Sequence, residues 1–224
     1  MLCLTQARMT SARLPGKVLM SLAGDPLLVW VIKRLRSTKA ISEIVVLTSE
    51  DTSDDILVDF CSAQAIPCHR GPLNNVAKRF LQTVLDVGAS EFIRINGDSP
   101  LIDPVIVDRA IDLYQSNQCD LVTNVLSRSF PKGQSVEILR SSTFRSVYED
   151  LNDKKDQEHI TRAYYKNPER YRIVEFSSGI DAGMEQLAVD TREDFEIVRQ
   201  LIDASSGHPG GWKDLLALKR SLKL

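Results

Sequence analysis

The stretch that decides the fold runs from Leu2 to Lys17, LCLTQARMTSARLPGK. Its first residues, Leu2 to Thr5, are an uncharged run of strand length, which reads as a strand buried on both faces. Directly after it, Gln6 to Lys17 carries three cations, Arg8, Arg13 and Lys17, and no acid. A loop in that position lies at the carboxyl end of a first strand, where open α/β sheets bind their ligands. Arginine gives forked bonds to anionic oxygens and lysine a point charge. With hydroxyls on Thr10 and Ser11, and Gly16 for close backbone approach, the loop suits several phosphate oxygens. Charge counting alone would also fit a solvated basic loop. The spacing is neither G-x-x-x-x-G-K-[ST] nor G-x-G-x-x-G, so ordinary ATPase and dinucleotide-binding dehydrogenase readings lose their main support.

Outward from this stretch, apolar runs of strand length alternate with helix-period segments. Strands are expected at Glu43 to Thr48, Ile66 to Cys68, Glu91 to Ile95 and Leu121 to Thr123. Helices are expected at Pro26 to Arg36, from a Ser53 cap through Ala63, from an Asn74 or Asn75 cap to Val87 before Gly88, and from Asp103-Pro104 to Ser116. That alternation predicts an α/β, Rossmann-like, mainly parallel sheet covered by helices on both faces. Between Asn124 and Ser177 the pattern changes: short β-like stretches (Ser135 to Leu139, Tyr171 to Phe176) surround helical ones (Thr143 to Leu151, His159 to Lys166). The segment reads as an inserted α+β lobe. A late strand at Leu187 to Val189 and a helix at Arg192 to Ala204, opened by a Thr191/Asp194 capping box, complete a single domain over residues 1–204. A Ser-Gly-Pro hinge, Ser205 to Gly211, then leads to an amphipathic tail helix from Trp212.

The composition bounds the class. The chain has 224 residues, 43% hydrophobic and 26% charged, with 28 basic and 30 acidic side chains and a net charge of −2. That is ordinary for a globular domain. It offers no general attraction for nucleic acid or anionic membrane, so an anion must be held locally. The four cysteines, Cys3, Cys61, Cys68 and Cys119, show no C-x-x-C spacing and read as free thiols in a reducing compartment. Met1 to Gln6 is too short for a secretory signal, and a cytoplasmic protein without a membrane span is expected.

One carboxylate stands where a cation would be useful. Asp98, in Asn96-Gly97-Asp98-Ser99-Pro100, follows the fourth strand at the same sheet edge as the basic loop, where it could hold a hard cation over a triphosphate or serve as a turn residue. Asp190 lies beside Thr191, where it can be part of the helix cap. His159 by itself reads as an exposed or capping residue at a helix start. His69 and His208 have no partner at metal spacing.

The residues Ala7-Arg8-x-x-Ser11-x-Arg13-Leu14-Pro15-Gly16-Lys17 resemble the signature of the cytidylyltransferases that activate acidic sugars, especially the branch of spore-coat polysaccharide synthesis proteins, and also of the 3-deoxy-manno-octulosonate cytidylyltransferases. Asn96 to Asp103 is similar to that family's Gly-Asp-x-Pro-Leu motif, Glu158-His159-Ile160-Thr161 to its Glu-His-Val-Thr segment, and Val189 to Asp194 to its Val-Asp-Thr-Pro-Glu-Asp segment. The resemblance covers Met1 to about Ile202. It implies the nucleotide-diphospho-sugar transferase fold and a CTP-dependent enzyme that joins CMP to a small sugar-like acceptor, releases pyrophosphate and serves surface polysaccharide synthesis. It further implies Arg8, Ser11, Arg13, Lys17 and Gly97 at the nucleotide, Arg13, Lys17 and Asp98 in catalysis, Mg2+ on Asp98 and Asp190, and Glu137, Glu158 and His159 near the acceptor or across a subunit boundary. One segment departs. Lys132 to Glu137 reads KGQSVE, so Gln134 and Ser135 replace the family's common Leu-Asp, and the lost carboxylate points to a different sugar or a reduced activity.

Two other readings remain open on sequence. A glycosyltransferase using a ready-made nucleotide sugar would share the fold but favours an Asp-x-Asp cluster, where Asn96-Gly97-Asp98 supplies one carboxylate. A non-catalytic nucleotide-binding protein is the other. A homodimer is expected through the segment 124–177, whose Val136, Ile138, Leu139, Tyr164 and Tyr165 look exposed in a lobe with little core of its own.

Overall fold

The computed structural model describes residues 1–151 and 153–224. In chain order the strands are β1 (Leu2–Gln6), β2 (Ser21–Leu22), β3 (Asp25–Pro26), β4 (Glu43–Ser49), β5 (Cys68–Gly71), β6 (Glu91–Asn96), β7 (Leu121–Thr123), β8 (Glu137–Arg140) and β9 (Ile173–Glu175). The helices are α1 (Leu27–Arg36), α2 (Asp55–Ala63), α3 (Val76–Val87), α4 (Pro104–Ser116), α5 (Ser141–Glu149), α6 (Lys154–Glu158), α7 (Arg162–Lys166), α8 (Arg192–Ala204) and α9 (Trp212–Ser221). Seven strands form one sheet in the order β5-β4-β1-β6-β8-β7-β9, while β2 and β3 make a separate two-stranded ribbon.

The first strand sits at the centre because it is apolar on both sides. Cys3 joins one core with Ile93, Ile95, Val122 and Ile138, beneath α1, α4, α8 and α9. Leu2 and Leu4 join the opposite core with Phe92, Leu121 and Leu139, beneath α3, α5 and α7. The side-chain period of 2 thus fills both faces at once. β1 pairs in parallel with β4 on one side and β6 on the other. The connections diverge at that point, which makes the carboxyl ends of β1 and β6 the switch crevice of the sheet.

Local signals place most of the helices. The Asn75 side chain accepts from Lys78 N–H at 2.8 Å and caps α3, which stops at Gly88. Asp103 caps α4 with Pro104 in its first turn, and Thr191 and Asp194 form the capping box of α8. The cap before α2 moves, however. Asp51 rather than Ser53 caps a 3-10 turn at Thr52–Asp54, accepting from Ser53 N–H at 2.9 Å.

Four expectations need correction. The third strand lies at Cys68–Gly71 rather than Ile66 to Cys68, because Ile66 turns into the apolar cluster under α2 and Pro67 has no N–H for a ladder. The helix expected from His159 to Lys166 starts only at Arg162, as α7, since the turn after α6 drives Ile160 into the core, and Arg162 and Lys166 bond Asp156 at 2.5 and 2.7 Å. The segment 124–177 is not a separate lobe: β8 runs antiparallel between β6 and β7, and β9 extends the same sheet. Val136, Ile138, Leu139 and Tyr164 are fully buried in the chain's own two cores and Tyr165 is half-buried, so the argument for a dimer through them falls. The tail helix forms from Trp212 as expected. Trp212, Leu215 and Leu216 are buried in the first core, with the Trp212 ring 5.6 Å from that of Phe130.

No helix among the described residues is long and apolar enough to cross a membrane. All four cysteines are free; Cys3, Cys61 and Cys119 are buried and Cys68 is half-buried, and burial pushes the Cys3 thiol up to about 12.

One buried carboxylate holds the basic loop to the sheet. Asp54, fully buried, accepts from Met9 N–H at 2.7 Å and Ser49 N–H at 3.0 Å, and from the Ser49 hydroxyl. Burial pushes its carboxyl up, but these donors outweigh burial and hold it below the usual carboxylate range. A depressed folded value contributes stability that is complete above the ordinary carboxylate pKa of about 4 and is lost as pH falls through the folded value. Asp54→Asn is therefore expected to lower unfolding stability by about 2 kcal/mol at neutral pH, from the mismatched donors left around the amide. Urea unfolding at several pH values should show the gap between wild type and variant narrowing below about pH 4. A gap independent of pH would remove the carboxylate charge as its source.

Candidate active site

The carboxyl ends of β1 and β6 approach so closely that only glycine fits at residue 97. A Cβ there would lie 2.6 Å from Gln6 O and 3.0 Å from Ala7 Cβ. Gly97 N–H donates to Gln6 O at 2.9 Å, so the β1 loop and the Gly97-Asp98 turn are held as one edge. Asp98 then reaches a third segment: its carbonyl accepts from Val189 N–H at 2.9 Å. Residues 187–189 run extended here without forming the expected strand, since one end bonds Lys132 and the other Asp98. This brings Asp190 to the edge.

At that junction lies Lys17, only 7% exposed. Its ammonium donates to Val189 O at 2.6 Å and Asp98 Oδ2 at 3.0 Å, and sits 3.4 Å from Asp190 Oδ1. Three fixed acceptors match the three donors of an ammonium group. Arg13 pairs with the same Asp190 oxygen at 3.0 Å from a largely exposed position. Arg8 faces Glu158 across 3.8 Å, both exposed, an ion pair of little energetic weight.

These groups line one open cleft of about 380 Å³. Arg8, Ser11, Arg13, Lys17, Gly97, Asp98, Glu158, His159 and Asp190 all border it. The sequence expectation thus gathers in one place, with Glu158 and His159 on the same cleft. Glu137 does not join them. It is buried, ion-paired with Arg94 and accepting from the Tyr165 hydroxyl, in a second pocket beside the first.

A model of the cytidylyltransferase family matches residues 2–207, nearly all of the chain. The chain belongs to the cytidylyltransferase family. Among its relatives, the spore coat polysaccharide biosynthesis protein SpsF of Bacillus subtilis (strain 168) is 32% identical over 216 residues, 93% of this chain and 88% of that protein. The 3-deoxy-manno-octulosonate cytidylyltransferase of Geobacter sulfurreducens is 31% identical over 129 residues, 54% of this chain and 48% of that protein. A solved cytidylyltransferase from Leptospira borgpetersenii serovar Hardjo-bovis superposes with a TM-score of 0.92 at 29% identity, covering 99% of this chain and 94% of that one. The family and fold expected from the residues are therefore correct. The glycosyltransferase and non-catalytic readings are set aside.

The sequence reading missed one residue of this cytidylyltransferase cleft. Arg79 is 2% exposed and lines it, yet among the described residues it forms no ion pair, and its Nε has no hydrogen-bond partner. Burial pulls its guanidinium pKa down. Its Nη2 donates to Pro72 O at 3.0 Å, which holds the loop before α3. The signal was present: residue 79 falls among Val76, Phe80 and Thr83 on the apolar stripe of α3, where a charge is out of place. Gln134 is fully buried: it accepts from Asp103 N–H and donates to Leu101 O, both at 2.8 Å, so it bolts the residues that follow Asp98.

Removing the shared cation is expected to leave two facing carboxylates and an unpaired carbonyl. Lys17→Met should lower unfolding stability by about 2 kcal/mol. Asp190→Asn, added to it, should recover part of that loss, with a coupling of about 1 kcal/mol or more in a double-mutant cycle of urea-unfolding energies. Strict additivity would mean that Lys17 and Asp190 do not interact.

Proposed function

We propose that this cleft transfers the cytidylyl group of CTP to a hydroxyl of an acidic sugar, giving a CMP-sugar and pyrophosphate for surface polysaccharide synthesis. The observation that carries the reading is the buried Lys17 ammonium, fixed between Asp98 and Asp190 at the switch crevice and flanked by Arg8 and Arg13. The polysaccharide setting is supported by the name of the Bacillus subtilis relative, and the acidic sugar by that of the Geobacter one.

The acceptor's hydroxyl oxygen bonds to the α-phosphorus, the bond from that phosphorus to the bridging oxygen of pyrophosphate breaks, and the hydroxyl proton goes to solvent. Such transfer asks the protein for positioning and charge stabilisation rather than covalent chemistry. Lys17 and Arg13 stabilise the charge growing on the β- and γ-phosphates. Arg8 and Ser11 hold the nucleotide, while Gly97 keeps the two strand ends close enough to form its floor. Glu158 and His159 border the cleft, and His159 also borders the second pocket, which includes Glu137.

Magnesium belongs to the same proposal. Among the described residues no cluster of three or more potential ligands exists. Two carboxylates do converge, since Asp98 and Asp190 share one ammonium. That donor set fits an ion shared with substrate phosphates, as Mg2+ is usually held, and not a resident all-protein site. Bound there by Asp98 and Asp190, it would supply charge neutralisation and activation of the attacking oxygen.

Pyrophosphate release from CTP with a panel of sugar acids, 3-deoxy-manno-octulosonate among them, tests the reading. Turnover should need a divalent cation and CTP in preference to other nucleotides. Lys17→Ala, Arg13→Ala and Asp98→Asn should each reduce it at least 100-fold, equivalent to about 3 kcal/mol of transition-state stabilisation. Metal-independent turnover, or an undiminished Asp98→Asn protein, would sink the mechanism.

A further inference from the structure

Cys61 and Cys68 meet outside the cleft, where α2 packs on the sheet. Both belong to the apolar cluster that also holds Val46, Leu57 and Ile66. Cys68 opens β5 and is in parallel register with Val46 of β4, so its side chain leaves the sheet on the face that α2 covers. Arg70, further along the same strand, shares that face and pairs with Asp55 at the start of α2 at 2.7 Å. From that ion pair the helix runs from residue 55 to residue 61, about 9 Å, while the strand leads from 70 back to 68, about 7 Å. The two paths end together, and the Cys61 and Cys68 thiols are in hydrogen-bonding contact.

One tight turn links them. Ala65 N–H donates to Ser62 O at 3.1 Å and Ile66 N–H to Cys61 O at 2.9 Å, and Ala65 takes the left-handed conformation, φ 51°, to reverse the chain. The strand is thereby returned along the helix that it has just left, which sets two cysteines close in sequence face to face. The remaining cysteines form no such pair. Cys3 lies on β1 and Cys119 just before β7, both buried, with β6 and β8 between those strands.

The two thiols differ in the way an oxidisable pair requires. Cys61 is fully buried, whereas Cys68 is half-buried and open to a small solute. The Cys61 thiol donates to the Cys68 sulfur, and this bond, with the charge of Arg70 nearby, holds the Cys68 thiol below its ordinary range although burial pushes it up. The same bond, with burial, pushes the Cys61 thiol up. A partly exposed thiol of thiolate character beside a cation is the kind that an oxidant attacks, and a second thiol in contact with it resolves the product.

We propose that Cys61 and Cys68 are a redox modification site, which hydrogen peroxide converts to one intrachain disulfide fastening α2 to the edge strand β5. The Cys68 sulfur bonds to one peroxide oxygen as the O–O bond breaks, giving a sulfenic acid; the hydroxide released takes up the proton that Cys68 gave up and leaves as water. The Cys61 sulfur then bonds to the Cys68 sulfur, the S–O bond breaks, and the departing hydroxyl leaves as a second water with the Cys61 proton. Two thiols lose two electrons and one peroxide is reduced to two waters. The site is independent of the transfer reaction, since Cys68 stands at the amino end of β5 and the cleft at the carboxyl ends of the sheet.

The test treats the full chain with hydrogen peroxide, then unfolds it, alkylates it and weighs it intact and as peptides. Without peroxide all four thiols should be alkylated. After peroxide Cys3 and Cys119 alone should be, with residues 61 and 68 joined by a cross-link that dithiothreitol reverses. Cys68→Ala should form no cross-link, and Cys61→Ala should leave a sulfenic acid on Cys68 that dimedone traps. Oxidised wild type should unfold at a higher urea concentration than the reduced protein, a shift absent from Cys68→Ala, because the cross-link restricts the unfolded chain. Cys68→Ala retains the buried Cys61 thiol, so its result stands however Cys61→Ala folds. Four alkylated thiols after peroxide, a link between two molecules, sulfinic acid on Cys68 in place of the link, or an oxidised protein no more resistant to urea would each overturn the proposal.

Discussion

Everything in the cleft depends on one ammonium group finding three oxygens. Lys17 comes from the loop after the first strand, Asp98 from the turn after the sixth, and Val189 with Asp190 from the extended segment before α8. A charge buried to this degree is tolerable only if fully bonded. The three segments are therefore mutually constraining, because displacing either carboxylate segment strips the ammonium of an acceptor and displacing Lys17 leaves two carboxylates without their shared cation. The same arrangement keeps two carboxylates side by side before any substrate enters, which is the preorganisation that charge stabilisation requires.

Around that centre the structure adds supports on each side. Asp54 ties the loop at Met9 from below, Gly97 brings the strand ends together, and Gln134 bolts the residues after Asp98. The tail helix completes the frame. Asp103 accepts from Trp212 N–H at 2.9 Å, and Arg34 bonds Ile102 O together with Pro209 O and Gly210 O at 2.7 and 3.0 Å. Residues remote in sequence thus hold the turn that carries Asp98.

The first half of the chain was legible because its signals are local. Uninterrupted apolar runs mark the central strands, and Asn75, Asp103 and Thr191 mark helix starts through a single side-chain bond each. The basic loop and Asp98 were legible as a site because both follow strands. What was not legible depends on partners far away. Ser135 to Leu139 gives the same pattern whether it lies in a satellite lobe or between β6 and β7, and only the antiparallel register with Phe92 and Ile93 distinguishes the two. Gln134 looks like a surface residue by type, and its burial is set by the turn that it clamps.

The long reach of the Lys17 contacts also has a bearing on how the molecule is made. Lys17 and Asp190 are separated by 173 positions. At synthesis rates of about 5–20 residues per second, the loop that emerges first waits on the order of ten seconds for its final counter-charge. During that interval β1 cannot yet have its full set of neighbours, since β6 and the segment before α8 leave the ribosome later. Contacts of such separation also slow folding of the released chain. The junction of Lys17, Asp98 and Asp190 is thus a late event in the life of each molecule, closed only once the segment before α8 has been made.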